Sequence, residues 1–215
     1  MVVSISMNKD LEKMNQLLEQ LFENFTDFDF IRSDLLPNID LYMDQVTTFM
    51  DCHLEKSKRY PEDKILTKTM INNYTKNNLL PPPDKKKYSK DHMLLLIFIY
   101  YFKNLLSIGD IQQVLDPLEE KYFKTDKPLN LEDIYNEVSS LESKEQDHIS
   151  KDIHRMYEAS MASFSHTGTD DDDKAFLKLF AFISLLSYDV NIKKQLVEQI
   201  IDRFFHTDGP DKKKS

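Results

Sequence analysis

The chain has 215 residues, of which 28 are basic and 37 acidic, and a formal net charge of −9. This length suits one large or two small domains. Its single cysteine, Cys52, excludes a disulfide framework and fits a reducing, cytoplasmic compartment. Because 40% of residues are hydrophobic, with 14 Phe, only 3 Gly and no alternating β pattern, we expect an all-α protein with a substantial core.

The first thirteen residues, MVVSISMNKDLEK, have no basic segment before an apolar run, so they do not predict a signal peptide. The two longest apolar runs, residues 93–102 and 175–188, are too short or too interrupted to span a bilayer. We expect both to be buried helices and expect no membrane partner.

Apolar periodicity predicts a series of helices in the N-terminal part of the chain. The expected ranges are 8–25, 41–54, 67–77, 89–106 and 107–121. The last of these begins at Ser107, which forms a capping-box pattern with Asp110.

Residues 125–128 form the best candidate boundary, which predicts domains at 1–124 and 125–215. In the second domain, Asn130 is expected to cap a long helical region that the polar stretch 142–146 interrupts. Two further helices are expected at 174–188 and 190–206, and the tail from about residue 208 is expected to be disordered.

The segment 66–88, LTKTMINNYTKNNLLPPPDKKKY, has the order of parts that a winged helix-turn-helix uses to bind DNA. Thr67 can accept a hydrogen bond from the first turn of a helix whose buried face holds Ile71 and Tyr74. Asn78 suits the left-handed conformation at a helix end. Three prolines at 81–83 prevent continuation, and a cluster of lysines follows.

The charges of this segment oppose those of the rest of the chain. Residues 64–90 hold seven lysines and one aspartate, a charge of +6, so the remainder carries −15. A basic segment of this kind can neutralise phosphates while an acidic body limits indiscriminate binding. Asparagine and lysine side chains on the open face of the helix can also pair with base edges.

The same segment resembles the DNA-binding motif of MerR-type regulators, V-S-x-x-T-[IL]-R-Y-Y-E-x-x-G-L-L-x-P followed by a basic wing. The matching residues are Leu66-Thr67, Ile71-Asn72, Asn73-Tyr74, Asn78-Leu79-Leu80, Pro82, Lys85 to Lys87, Tyr88 and, downstream, the helix start Ser107 to Ile111. Asn72 stands where the family has arginine, and the wing lacks the family's Gly-Tyr. The N-terminal half more closely resembles a bacterial family described only as a domain of unknown function, itself MerR-like.

The resemblance implies a winged helix-turn-helix domain, whose wing includes at most a minimal hairpin, with a helical C-terminal domain for dimerisation or effector binding. It implies a homodimeric transcription regulator that binds a two-fold site on double-stranded DNA. The expected DNA-binding residues are Thr67, Lys68, Thr69, Asn72, Asn73, Tyr74, Lys76, Lys85, Lys86, Lys87 and Tyr88. No cofactor is expected, and an effector remains unidentified.

Other constellations give weaker signals. His148 and His154 fall on different helix faces, the acidic run 170–173 lacks the pattern of a calcium loop, and Cys52 is expected to be a packing residue. No phosphate-binding loop or catalytic motif occurs, so we expect no enzyme. The remaining alternative is an adaptor that uses the same helix-turn-helix to bind an acidic protein partner instead of DNA.

Overall fold

The computed structural model describes residues 13, 16–18, 20, 31–166, 168 and 170–205, the side chains of 171 and 172 excepted. The protein is mostly α-helical, with one two-stranded sheet in the described residues, so the expected fold class is confirmed. Most of the helix predicted at 8–25 and the whole tail from 208 lie outside the described residues.

The elements follow one another in a simple order. They are β1 (Leu41–Tyr42), α1 (Met43–His53), α2 (Lys68–Lys76), β2 (Lys87–Tyr88), α3 (Lys90–Phe102), α4 (Ile108–Tyr122), α5 (Leu131–Ala162) and α6 (Asp171–Phe204). Short 3-10 turns occur at Ser33–Leu35 and Glu55–Ser57.

Local capping explains where several helices begin. The Ser107 hydroxyl accepts from the backbone N–H of Asp110 at 3.1 Å, and the Asp110 carboxylate accepts from the Ser107 N–H at 3.2 Å. Asn130 and Asp133 exchange the same pair of bonds, each 3.1 Å, at the start of α5. Both caps satisfy N–H groups that have no partner within the helix, so the predicted starts are confirmed.

Helix α3 is the centre of the core, as its apolar sequence predicts. Nine consecutive residues from His92 to Tyr100 are buried, which leaves no solvent-facing side over that stretch. Val46 and Met50 of α1, Ile71 of α2 and Ile111 of α4 complete the same cluster. Each fully buried aliphatic side chain contributes about 1.5–3 kcal/mol relative to an exposed one, so this cluster dominates the stability of the fold.

Two predicted interruptions are wrong. Helix α5 is continuous through 142–146, because Glu, Lys and Gln are good helix formers and their polarity does not break a helix. Helix α6 is continuous through 189, where the Lys193 ammonium binds the Asp189 carboxylate one turn away at 2.7 Å.

The burial predicted for 175–188 is also wrong, since most large apolar residues of α6 are exposed. Within the described residues, α6 is the one helix long and apolar enough to span a membrane by length and composition, with a mean hydropathy of 1.5 over its best window. Only 11% of that window is buried. Cys52, expected to be a packing residue, is exposed on α1.

Two compact units divide the chain. The larger unit contains Phe30–Ser140 and Lys194–Ser215, and the smaller unit contains Met1–Asp29 and Leu141–Lys193. The boundary proposed from sequence, between residues 124 and 125, lies inside the larger unit. The candidate DNA-binding residues all belong to the larger unit.

Candidate nucleic-acid interface

Helix α2, the candidate recognition helix, begins at a side-chain cap and a buried anchor. The Thr67 hydroxyl accepts from the Met70 N–H at 3.1 Å, as predicted. The two preceding residues, Ile65 and Leu66, are buried. The Lys103 ammonium, beyond the end of α3, donates to the Ile65 carbonyl at 2.7 Å, and burial lowers the pKa of this lysine. These contacts fix the start of α2 to the core.

The end of α2 is a Schellman motif. Asn78 has φ = 55°, the left-handed conformation predicted for it. The Leu79 N–H donates to the Tyr74 carbonyl at 2.8 Å, and the Asn78 N–H donates to the Thr75 carbonyl at 3.3 Å. Leu79 and Leu80 are buried immediately afterwards. Because both ends are defined, α2 has a fixed length and direction.

One side of α2 is open and polar. At about 100° per residue, the exposed residues fall within roughly 140° of the helix circumference. They are Lys68, Thr69, Asn72, Asn73 and Lys76. The opposite side holds Ile71 and Tyr74, which pack in the core. The structure therefore brings the five expected polar side chains of α2 onto a single surface.

The lysine cluster forms a tight turn with an unusual backbone. The Lys87 N–H donates to the Asp84 carbonyl at 2.8 Å, and these two residues form an antiparallel bridge. The two residues between them, Lys85 and Lys86, have φ = 47° and 66°. Positive φ at both central positions is the geometry of a type I′ turn, which favours Asn and Gly. Both lysine side chains are exposed.

The turn at Lys85 and Lys86, together with β2, forms the wing. The pairing of β2 with β1 and the contacts of His92 fix the base of the wing. Tyr88 pairs with Leu41 of β1, so the wing strand pairs with the segment before α1. The His92 Nδ1 accepts from the Ser89 N–H at 3.0 Å, and Nε2 lies 3.4 Å from the Pro82 carbonyl. Burial lowers the pKa of His92. A neutral ring that accepts at Nδ1 and donates at Nε2 fits both contacts.

The start of α2 and the wing both contact the short junction of β1 and α1. The Lys68 ammonium forms an ion pair with the Asp44 carboxylate. The Lys87 ammonium lies 5.2 Å from the centre of the Tyr42 ring, a cation–π distance. Since Tyr42 and Asp44 are two residues apart, the junction places the N-terminal end of the recognition helix near the wing.

An open groove of about 520 Å³ lies beside the start of α2. Basic residues line it at Lys64 and Lys68, and acidic residues line it at Asp51 and Glu55. The groove is therefore of mixed charge, unlike the exposed lysines of the wing. An anion that approached α2 would meet these carboxylates as well as the lysines.

Two of the expected DNA-binding residues lie in the core. Tyr74 and Tyr88 are 7% and 3% exposed, and burial raises the pKa of both phenols. Each side chain faces the apolar cluster around α3, so Tyr74 supports α2 and Tyr88 supports the wing from the inside. Neither side chain lies on the surface that would face DNA. The other nine expected residues are at least partly exposed.

Sequence reasoning missed the residues that position the site. Tyr42, Asp44, His92 and Lys103 contact it across gaps of 10 to 45 residues, which no local pattern reports. Of these four residues, His92 could most easily have been predicted from sequence. It follows Ser89 by three residues, which is the N3 position of a capping box. Among the described residues, no three His, Cys, Asp or Glu side chains are grouped as metal ligands.

Comparison with known proteins adds one finding. Residues 31–138 match the family model described as "Domain of unknown function (DUF1836)". No curated protein and no solved structure matches the chain. The matched range ends within α5 and contains α2 and the wing.

Proposed function

The chain belongs to the DUF1836 family, whose model covers half of it, and we propose that this protein is a transcription regulator that binds double-stranded DNA with helix α2 and the wing. The observation that supports this most is the pair of exposed lysines in the type I′ turn. Resemblance of residues 66–88 to the MerR motif supports the same function.

The wing lysines occupy positions where lysine is unfavourable. The left-handed conformation costs a residue with a Cβ roughly 1–2 kcal/mol, and Asn or Gly would remove much of that cost. Lys85 and Lys86 nevertheless hold these positions. Backbone strain of this kind is found at functional sites, and two exposed ammonium groups at the tip of a turn suit contact with phosphate.

Helix α2 would supply sequence discrimination. Asn72 and Asn73 are exposed, and an asparagine amide can form two hydrogen bonds to the edge of adenine in the major groove. Lys68 and Lys76, at either end of the same face, would contact phosphate or guanine. Since the helix ends are fixed by Thr67 and Asn78, these side chains have a defined spacing along the groove.

A single recognition helix covers only a few base pairs, so the proposed regulator acts as a homodimer on a two-fold site. Each copy would place its α2 in one half-site. The region outside the helix-turn-helix would set the distance between half-sites.

The decisive experiment is selection of binding sites from genomic fragments with the purified full chain. The selected duplex and a random duplex are then titrated with the wild type, with Asn72→Ala and with Asn73→Ala. Loss of the base-reading asparagine is expected to cost about 1–3 kcal/mol on the selected duplex and little on the random one.

Asn77→Ala is the matched control, since Asn77 is exposed at the end of α2 and is not among the expected contacts. Failure to enrich any sequence, together with no affinity for random duplex at low salt, would reject DNA binding. Equal losses on both duplexes would show that neither asparagine reads a base.

The second candidate function is an adaptor for a protein partner. The groove beside α2 favours it, because Asp51 and Glu55 stand next to Lys64 and Lys68 and such mixed charge suits a polypeptide better than phosphates. Competition with random duplex separates the candidates. If the surface binds DNA, an excess of random duplex competes for it and displaces the specific duplex weakly. If the surface binds a protein partner instead, random duplex does not compete and the partner stays bound.

A further inference from the structure

Helix α6 carries an apolar stripe in the smaller unit. Phe176, Phe180, Ile183, Ser187 and Val190 follow one another at intervals of four, three, four and three residues. The four apolar members are each 54–57% exposed. This 4-3 spacing is that of the a and d positions of a coiled coil, which line one side of a helix. We call these five residues the stripe.

A different side of α6 is already packed within the smaller unit. Ala175 and Phe182 are buried, and the Phe182 ring meets the Tyr157 ring of α5 edge to face at 5.4 Å between centres. At about 100° per residue, these positions lie roughly 100–120° from the centre of the stripe. The stripe is therefore not the side that α6 uses against the described part of α5 in its own unit.

The polar atoms beside the stripe are already satisfied. The Ser184 hydroxyl donates to the Phe180 carbonyl at 2.8 Å, and the Ser187 hydroxyl donates to the Ile183 carbonyl at 2.7 Å. No charged residue occurs between 179 and 188. Covering this surface would consequently leave neither serine hydroxyl unpaired, which lowers the usual cost of burying a helix face.

We propose that a second copy of this chain covers the stripe, with two α6 helices packed side by side. The area supports this occupant. If a fully exposed large apolar side chain presents about 200 Å², the four apolar residues of the stripe leave roughly 450 Å² of apolar surface in solvent. A standard interface covers about 800 Å² of each partner, and about 56–65% of that area is apolar, which is roughly 450–520 Å².

A bilayer is the poorer occupant for the same helix. Its neighbour in the smaller unit, the part of α5 from 141 to 162, carries eight charged residues. Insertion of α6 would require Phe182 to leave Tyr157, or would draw those charges into hydrocarbon at a cost of several kcal/mol. A second copy needs neither change. This dimer is the one that the proposed function uses, but the argument for it rests on α6 alone.

The test is the mass of the full chain by light scattering at tens of micromolar. The wild type is expected at twice 25.4 kDa. Phe180→Glu and Ile183→Glu each place a carboxylate in the interface, so each is expected to raise the dimer Kd at least about 100-fold. Both side chains are exposed in the single chain, so circular dichroism and thermal unfolding of the monomer are expected to remain unchanged.

Ile192→Glu is the matched control. Ile192 is 47% exposed on the same helix, about 160° from the centre of the stripe, and this variant is expected to remain a dimer. A monomeric wild type, or dimers that persist in both stripe variants, would overturn the proposal. So would flotation of the wild type with phosphatidylcholine–phosphatidylglycerol vesicles, which would assign α6 to a membrane.

DNA binding is measured separately on the same samples, so the two proposals can fail independently. A monomer that binds random duplex would reject the interface and the two-fold arrangement but would leave DNA binding by α2 and the wing standing. A dimer without affinity for any duplex would reject DNA binding and leave the α6 interface standing.

Discussion

Replacing the two central wing residues, Lys85→Asn with Lys86→Gly, is expected to stabilise the protein while weakening its binding to DNA. Both lysines have positive φ in a type I′ turn, and Asn-Gly is the pair that this turn prefers. Both are exposed, so no packing is lost. An increase in stability with a loss of affinity is the signature of residues retained for binding.

The expected size of each effect follows from the geometry. Relief of the left-handed strain is worth roughly 1–2 kcal/mol per residue, and the greater freedom of glycine in the unfolded chain returns about 0.5–1 kcal/mol. We expect a net gain of at least about 1 kcal/mol, which raises Tm by at least about 2 °C for a chain of this size. Loss of two phosphate contacts should reduce the slope of log K against log salt by about 2.

The assays are thermal unfolding and titration of random duplex from 50 to 200 mM salt. Lys85→Arg with Lys86→Arg keeps charge and strain, so both quantities should stay near wild type. Lys144→Asn with Lys151→Asn removes two exposed charges from α5 and should leave the slope unchanged. If the Asn-Gly variant gains stability but keeps the wild-type slope, the wing lysines do not contact phosphate and the reasoning fails.

Three further outcomes are expected. Asp44→Asn removes the partner of Lys68, and because exposed ion pairs contribute only about 0–1 kcal/mol, the free energy of unfolding should hardly change. The slope of log K against log salt on random duplex should become steeper by about 1. A weaker affinity would count against contact between Lys68 and phosphate. Thr67→Ala removes the cap of α2 and should lower the free energy of unfolding by about 1 kcal/mol in urea, whereas an unchanged midpoint would show that the cap contributes little. Burial raises the pKa of Glu142 to about 7 from 4.5, and its Oε2 has no hydrogen-bond partner in the described part of the chain. The folded state therefore holds the proton more tightly, so the cost of ionising Glu142 in the folded protein is absent below pH 4.5 and complete above pH 7. Glu142→Gln should stabilise the protein by about 1 kcal/mol at pH 8, after discounting for solvent screening, but not at pH 4.

Features that depend on nearby residues could be predicted from the sequence alone. Thr67 caps α2, Ser107 and Asp110 cap α4, and Asn78 takes positive φ, all as expected. In each case the partner lies within five residues, so residue type and spacing determine the contact. The open face of α2 is of the same kind, since a period of 3.6 separates its polar and apolar sides.

Features that depend on distant residues were decided only by the tertiary structure. Helices α3 and α6 are both strongly apolar, yet nine residues of α3 are buried while the stripe of α6 remains exposed. Likewise, Tyr42 lies beside Lys87 because β1 pairs with β2, and Asp44 reaches Lys68 because α1 packs against α2. The composition of a helix and the spacing of its apolar residues indicate which face is apolar. What packs against that face depends on residues distant in the chain, which the local sequence does not encode.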